Sequence, residues 1–303
     1  MAPPQGNDMI GRSVGRRSVL AGMAAIGAAA AVGCSRVSTA DTTGGGNLLE
    51  RLRAQGSVKL GIAGEIPFGY ISKQAEITGE APELAKVIFK RLGVPNVQAV
   101  PTEFGSLIPG LNSQQFDVIA AGMFVNPERC AQVLFADPDY EVLDAFIVRK
   151  GNPKNIQSYA DIKKSGAKLA SGTAYAEIDY AVDAGVPRGE IQIYPDQLAG
   201  LLAVAQGRAD AFAGTSLTVR NVINQTKNQK VEGTKPFLPK LDGKPAYGAG
   251  AFAFRKGETQ LRDAFNEELH KMKKNGEVQR VLKPFGFTDT EMTELTAEEL
   301  CKK

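Results

Sequence analysis

From residue 47 onward, short apolar runs alternate with stretches whose apolar positions recur every three or four residues. A helix over 47–55 leads into a strand over 57–62, SVKLGI. A second helix runs over 80–92. Pro82 sits in its first turn, Leu84, Val87, Ile88 and Leu92 share one face, and Gly93 follows as a stop. A strand over 97–100, a helix over 105–112 and a buried-type strand over 116–121 come next. Strand, helix, strand, helix, strand with short connections predicts βαβ units and a parallel sheet.

An extended run over 140–149, YEVLDAFIVR, then leaves this first unit and the alternation restarts. Strands are predicted over 167–171, 191–194 and 210–213, and helices over 174–185, 197–206 and 216–226. After a proline-bearing loop come the strand 249–254 and the helix 258–274, whose Leu261, Phe265, Leu269 and Met272 form one stripe. The fold class this implies is α/β, in two lobes joined by a hinge, with a ligand cleft between them. Residues 47–148 and 248–303 are assigned to lobe 1, and 149–247 to an inserted lobe 2.

The segment before residue 47 reads differently. Arg16 and Arg17 precede an alanine- and glycine-rich apolar run that ends in Ala31-Val32-Gly33-Cys34. The run is too short for a bilayer core of ~30 Å. With the arginine pair and the cysteine, it has the form of a twin-arginine lipoprotein signal over 1–33. Cys34 would be lipidated, and 34–46 would be a flexible tether rich in Ser, Thr and Gly. The expected location is extracytoplasmic, held at the cell membrane by the lipid alone.

Charge and cysteine content fit that compartment. The chain carries a formal +3, and Arg12, Arg16 and Arg17 against Asp8 give the leader +2, which leaves +1 for the mature part. So small an excess gives no electrostatic footprint for nucleic acid. Beyond Cys34 the cysteines are Cys130 and Cys301, an even pair that predicts a disulfide tying the C-terminal helix to lobe 1.

Catalytic groups are sparse. His270 is the one histidine, and it lies beside Lys271, Lys273 and Lys274 on an amphipathic helix, where a solvated face explains it. No Ser-His-Asp set, nitrogen/sulfur metal site or phosphate loop follows from such a composition. No cofactor is expected, and the chain reads as a binder rather than an enzyme.

Loops at the carboxyl ends of the first-lobe strands carry a different pattern. They bring Glu65 and Phe68, then Phe104, then Phe124 and Arg129, to the edge where open α/β sheets bind ligands. Ring faces attract a delocalised cation, an acid accepts from its N–H groups, and a guanidinium grips a carboxylate with two parallel bonds. In the second lobe, Ser171-Gly172-Thr173 precedes a predicted helix, whose first N–H groups favour an anion. The implied ligand is small, flat and zwitterionic.

The lipoprotein leader, GEIPFGY, EFGSLIPGL, FDVIAAGMFVNPERC, SGTAYAE, GRADAFAG and AFAFRKG together resemble the extracellular solute-binding proteins of ABC importers, in the polar amino-acid cluster. The resemblance covers 47–303 and implies a type II periplasmic-binding-protein fold, an ABC permease as partner and a monomeric receptor. It is nearest to the branch that binds ectoine and hydroxyectoine. On that resemblance Glu65 would hold a cyclic amidinium, Phe68, Phe104 and Phe124 would box it, and Arg129 and Thr173 would hold its carboxylate.

Two departures matter. Thr215 stands where amino-acid binders usually place an aspartate for the α-ammonium, while Asp210 reads as structural. Phe104 stands where a tyrosine is common, which removes a hydroxyl from the box. A polar amino acid as ligand remains the alternative. An enzyme of the cyclohexadienyl dehydratase kind is a third reading, weakened by the lack of a pocket histidine.

Overall fold

A computed structural model describes residues 47–302. The signal, Cys34 and the tether lie outside the described residues. Two sheets organise the rest. The first has the strand order Asn96–Pro101, Ser57–Ile62, Val118–Phe124, Gly248–Phe254, Leu134–Phe135, with Tyr140–Val142 also paired to Gly248–Phe254. The second has the order Gln192–Tyr194, Leu169–Gly172, Ala211–Thr215, Asp144–Arg149, Val231–Gly233.

Each sheet is parallel only in part. Ser57–Ile62 runs parallel to both of its neighbours, whereas Gly248–Phe254 runs antiparallel to Val118–Phe124. In the second sheet, Asp144–Arg149 runs antiparallel to Ala211–Thr215. The antiparallel strands are the ones that begin or end a crossing between lobes, so the chain arrives in each sheet from the hinge side.

The crossing is shorter than the run over 140–149 suggests. Tyr140–Val142 belongs to the first sheet and Asp144–Arg149 to the second. The lobe boundary therefore lies at Leu143 rather than after residue 148. The Leu143 carbonyl accepts from Ser216 N at 2.8 Å, which fixes the crossing against the start of the helix Ser216–Thr226. Asp144 and Phe237 exchange backbone bonds of 3.0 and 2.9 Å just before the chain returns to the first sheet.

Helices cover the sheets with the faces that hydrophobic spacing dictates. In Thr259–Lys274 the buried positions are Leu261, Phe265, Leu269 and Met272. Phe265 meets Phe252 at 4.6 Å and Phe89 at 5.7 Å between ring centres. Leu48, Leu49 and Leu52 of the first helix are buried as well. Cys130 and Cys301 form a disulfide between the short helices Pro127–Cys130 and Ala297–Cys301, 171 residues apart in sequence. His270 is exposed on its helix and faces Asp137 at 2.7 Å. Asp210 pairs with Lys154 at 2.8 Å and accepts from Lys168 N at 2.9 Å, a purely structural set. Among the described residues no helix is long and apolar enough to cross a membrane.

Candidate ligand-binding site

Glu65 sits in a tight turn after the first strand. Phe68 N and Gly69 N donate to its carbonyl at 2.8 and 3.0 Å, and the turn lies flat on the strand behind it. Glycines make that approach feasible. A Cβ on Gly69 would stand 2.6 Å from the Ala120 carbonyl, and one on Gly122 would stand 2.6 Å from the Phe68 ring. Gly122 also has φ +64°, a conformation that side chains resist. Phe68 is thus laid against the strand, stacked on Tyr140 at 5.3 Å. Phe124 lies over Gly248 in the same manner.

Glu65, Phe68, Phe104, Phe124 and Arg129 line one small cavity, together with Gly122, Tyr175, Ala176, Glu177 and Thr215. Its volume is about 30 Å³, roughly the space of one water molecule. Thr173 is not part of it. That side chain is exposed and faces Gly105 across the lobe interface. The helix expected from residue 174 starts at Glu177, so a turn separates the Ser171-Gly172-Thr173 run from any helical N–H groups.

The acid is gripped from the other lobe. Tyr175 Oη donates to Glu65 Oε2 at 2.6 Å, and Thr218 Oγ1 donates to Glu65 Oε1 at 2.7 Å. Burial raises the Glu65 pKa, and the two hydroxyl bonds pull it the other way. Thr215 Oγ1 donates to Thr218 Oγ1 at 2.9 Å, which orients that second hydroxyl. Arg129 donates to the carbonyls of Phe124 at 2.8 Å and Ala174 at 2.9 Å, and its guanidinium lies 5.4 Å from the centre of the Phe104 ring.

Tyr175 and Glu177 are cavity residues that the sequence reading does not single out. Tyr175 meets Phe104 edge-on at 5.4 Å, so a second-lobe hydroxyl stands beside the ring that lacks one. Glu177 is buried, and burial pushes its carboxyl up to about 7. Its own backbone N–H and Arg129 oppose that rise, while Glu65 adds to it. The signal for both lay in SGTAYAE, where an aromatic and an acid follow a glycine turn directly after a strand.

A larger cavity of about 530 Å³ adjoins the crossing strands, with Val142, Leu143, Val219, Ile223 and Tyr247 in its wall. Its charged rim is already engaged: Glu141 accepts from Thr293, Glu291 from Thr288, and Arg220 donates to the Gly286 carbonyl. No acid there opposes a guanidinium across stacked rings. In the smaller cavity Glu65 and Arg129 stand together with three phenylalanine rings.

Residues 58–288 match the model of the bacterial extracellular solute-binding proteins, family 3. The chain belongs to that family. Its match spans both sheets of the type II fold, and the family places the protein outside the cytoplasm as a binder of solutes. A solved structure of EhuB in complex with hydroxyectoine is 37% identical, with a TM-score of 0.77 over 84% of this chain and 98% of that one. A probable amino-acid ABC transporter periplasmic-binding protein of Sinorhizobium fredii is 36% identical, over 84% of this chain and 85% of its own length. An ancestral arginine-binding protein bound to arginine is 29% identical, with a TM-score of 0.67 over 77% of this chain and 99% of that one.

Proposed function

We propose that this family member is the receptor of an ABC importer and that its ligand is ectoine or hydroxyectoine. The observation that carries the reading is the convergence of Glu65 and Arg129 on one cavity walled by Phe68, Phe104 and Phe124. An amidinium between ring faces gains roughly 0.5–2 kcal/mol per ring. The acid takes its N–H groups, and the guanidinium takes the carboxylate at the other end. Thr215 supports a cyclic amidinium over an α-ammonium, because it offers a hydroxyl where an ammonium wants a carboxylate. The 37% identity to the hydroxyectoine-bound structure points the same way.

Glu177 favours a second reading. A buried acid lining the cavity supplies a partner for an α-ammonium, and the relative from Sinorhizobium fredii is described as a probable amino-acid ABC transporter periplasmic-binding protein. Titration calorimetry against ectoine, hydroxyectoine and a panel of polar amino acids separates the two. Ectoine is expected to bind, and Arg129→Ala to weaken it more than 100-fold, since a buried carboxylate left unpaired costs about 3–5 kcal/mol. Tight binding of an amino acid with no ectoine heat reverses the choice. We further propose that Cys34 carries the lipid anchor and that the receptor acts as a monomer.

A further inference from the structure

The cavity that Glu65, Arg129 and the three phenylalanines line is about 30 Å³, whereas small-molecule sites run to roughly 300–1,000 Å³. The second-lobe turn 173–176 stands against its charged groups. Two adjacent residues of that turn meet the two charged groups that face the cavity from the first lobe. Tyr175 donates its hydroxyl to Glu65 at 2.6 Å, and the Ala174 carbonyl accepts from Arg129 at 2.9 Å. One is a donor to the acid, and the other is an acceptor for the guanidinium. That is the pairing a zwitterion would offer.

The turn is built to hold this pose. Ala174 has φ +61°, a left-handed conformation that a residue with a Cβ adopts at a cost. Thr173 N donates to the Tyr194 carbonyl at 3.2 Å and Tyr175 N to the Gly172 carbonyl at 3.2 Å, both within the second lobe. The Tyr175 ring lies directly on Gly172, where a Cβ would come within 2.6 Å of it. On its outer side the ring meets the edge of Phe104. Burial also raises the Tyr175 pKa well above its ordinary value, so the hydroxyl keeps its proton and stays a donor.

We infer that Ala174 and Tyr175 act as a surrogate ligand: they close the lobes on Glu65 and Arg129 by occupying both, and a solute must displace them to bind. The inference rests on the reading that Glu65 and Arg129 are the ligand's two anchors. It adds that affinity is set by competition with the protein's own turn. Apparent affinity is reduced to the fraction of molecules left open, so a ten-to-one self-closed population weakens it about ten-fold.

The test is Tyr175→Phe, with Thr218→Val as an independent variant because Thr218 holds the other Glu65 oxygen. Two measurements are made on the mature protein, after circular dichroism and melting establish that each variant is folded. Small-angle X-ray scattering without ligand should show a larger radius of gyration in each variant than in the wild type. Calorimetry with ectoine should show binding about three- to ten-fold tighter. Unchanged scattering in Tyr175→Phe overturns the surrogate, whatever Thr218→Val does, as does weaker ectoine binding by Tyr175→Phe, which would make Tyr175 an ordinary ligand contact. Opening of the variants together with no ectoine binding by any form supports the surrogate and sinks the ectoine reading.

Discussion

Glu177 shows how a single carboxyl couples the site to pH. Its folded pKa of about 7 lies above the ordinary carboxylate value near 4.5, because burial outweighs the help of Arg129. Between those two values the folded state holds a proton that the unfolded state has lost. Stability from this residue therefore falls as pH rises from about 4.5 to about 7. Denaturant unfolding at pH 5, 6, 7 and 8 should show a smaller decline in Glu177→Gln than in the wild type, and equal slopes would refute the assignment. The loop residues Glu65, Phe68, Phe104, Phe124 and Arg129 were legible because each sits at the carboxyl end of a predicted strand. Tyr175 and Glu177 carried a signal in SGTAYAE that the reading passed over, because it expected a helix from residue 174 where a left-handed turn at Ala174 delays it to Glu177. Thr173 lies at the start of the same turn, outside the lining of that cavity.

At the scale of elements, amphipathic spacing is the strongest signal the chain carries, and the helix Thr259–Lys274 is its best case. Phe265 is fully buried against Phe89, Phe252 and Phe254. Phe265→Ala should cost about 3–5 kcal/mol by the cavity it leaves. The loss would appear as a lower denaturation midpoint with an unchanged slope. A loss below 1 kcal/mol would mean that the first lobe repacks. Strand direction is another matter. The period of a strand is the same whichever way it runs, so Gly248–Phe254 and Asp144–Arg149 gave no hint that they lie antiparallel. The boundary at Leu143 was hidden for a related reason, since YEVLDAFIVR is apolar on both sides of the crossing.

The whole molecule is two sheets with one inserted into the chain of the other, and the cysteine pair acts on that scale. The loop closed by Cys130 and Cys301 contains every strand of the second sheet. On the chain-entropy model, closing so long a loop stabilises by about 4–5 kcal/mol. Replacing both cysteines by serine should lower the melting temperature markedly while leaving ligand affinity within about two-fold, since neither residue lines the cavity. A variant that melts like the wild type would show that the unfolded chain gains nothing from release. The two-lobe plan was readable from the restart of the βαβ pattern, but the bonds of Tyr175 and Thr218 to Glu65 across the lobes were not, because they depend on side chains from distant segments meeting.

Both ends of the described chain belong to the same half. The helix Leu48–Gln55 and the helix Ala297–Cys301 are packed with the first sheet, and the inserted half is reached only through Leu143 and the return before Gly248. A receptor tied to a surface through its N-terminal tether would then keep one jaw stationary and swing the other. A transporter waiting at that surface would sense capture of its cargo as a movement of the free jaw alone.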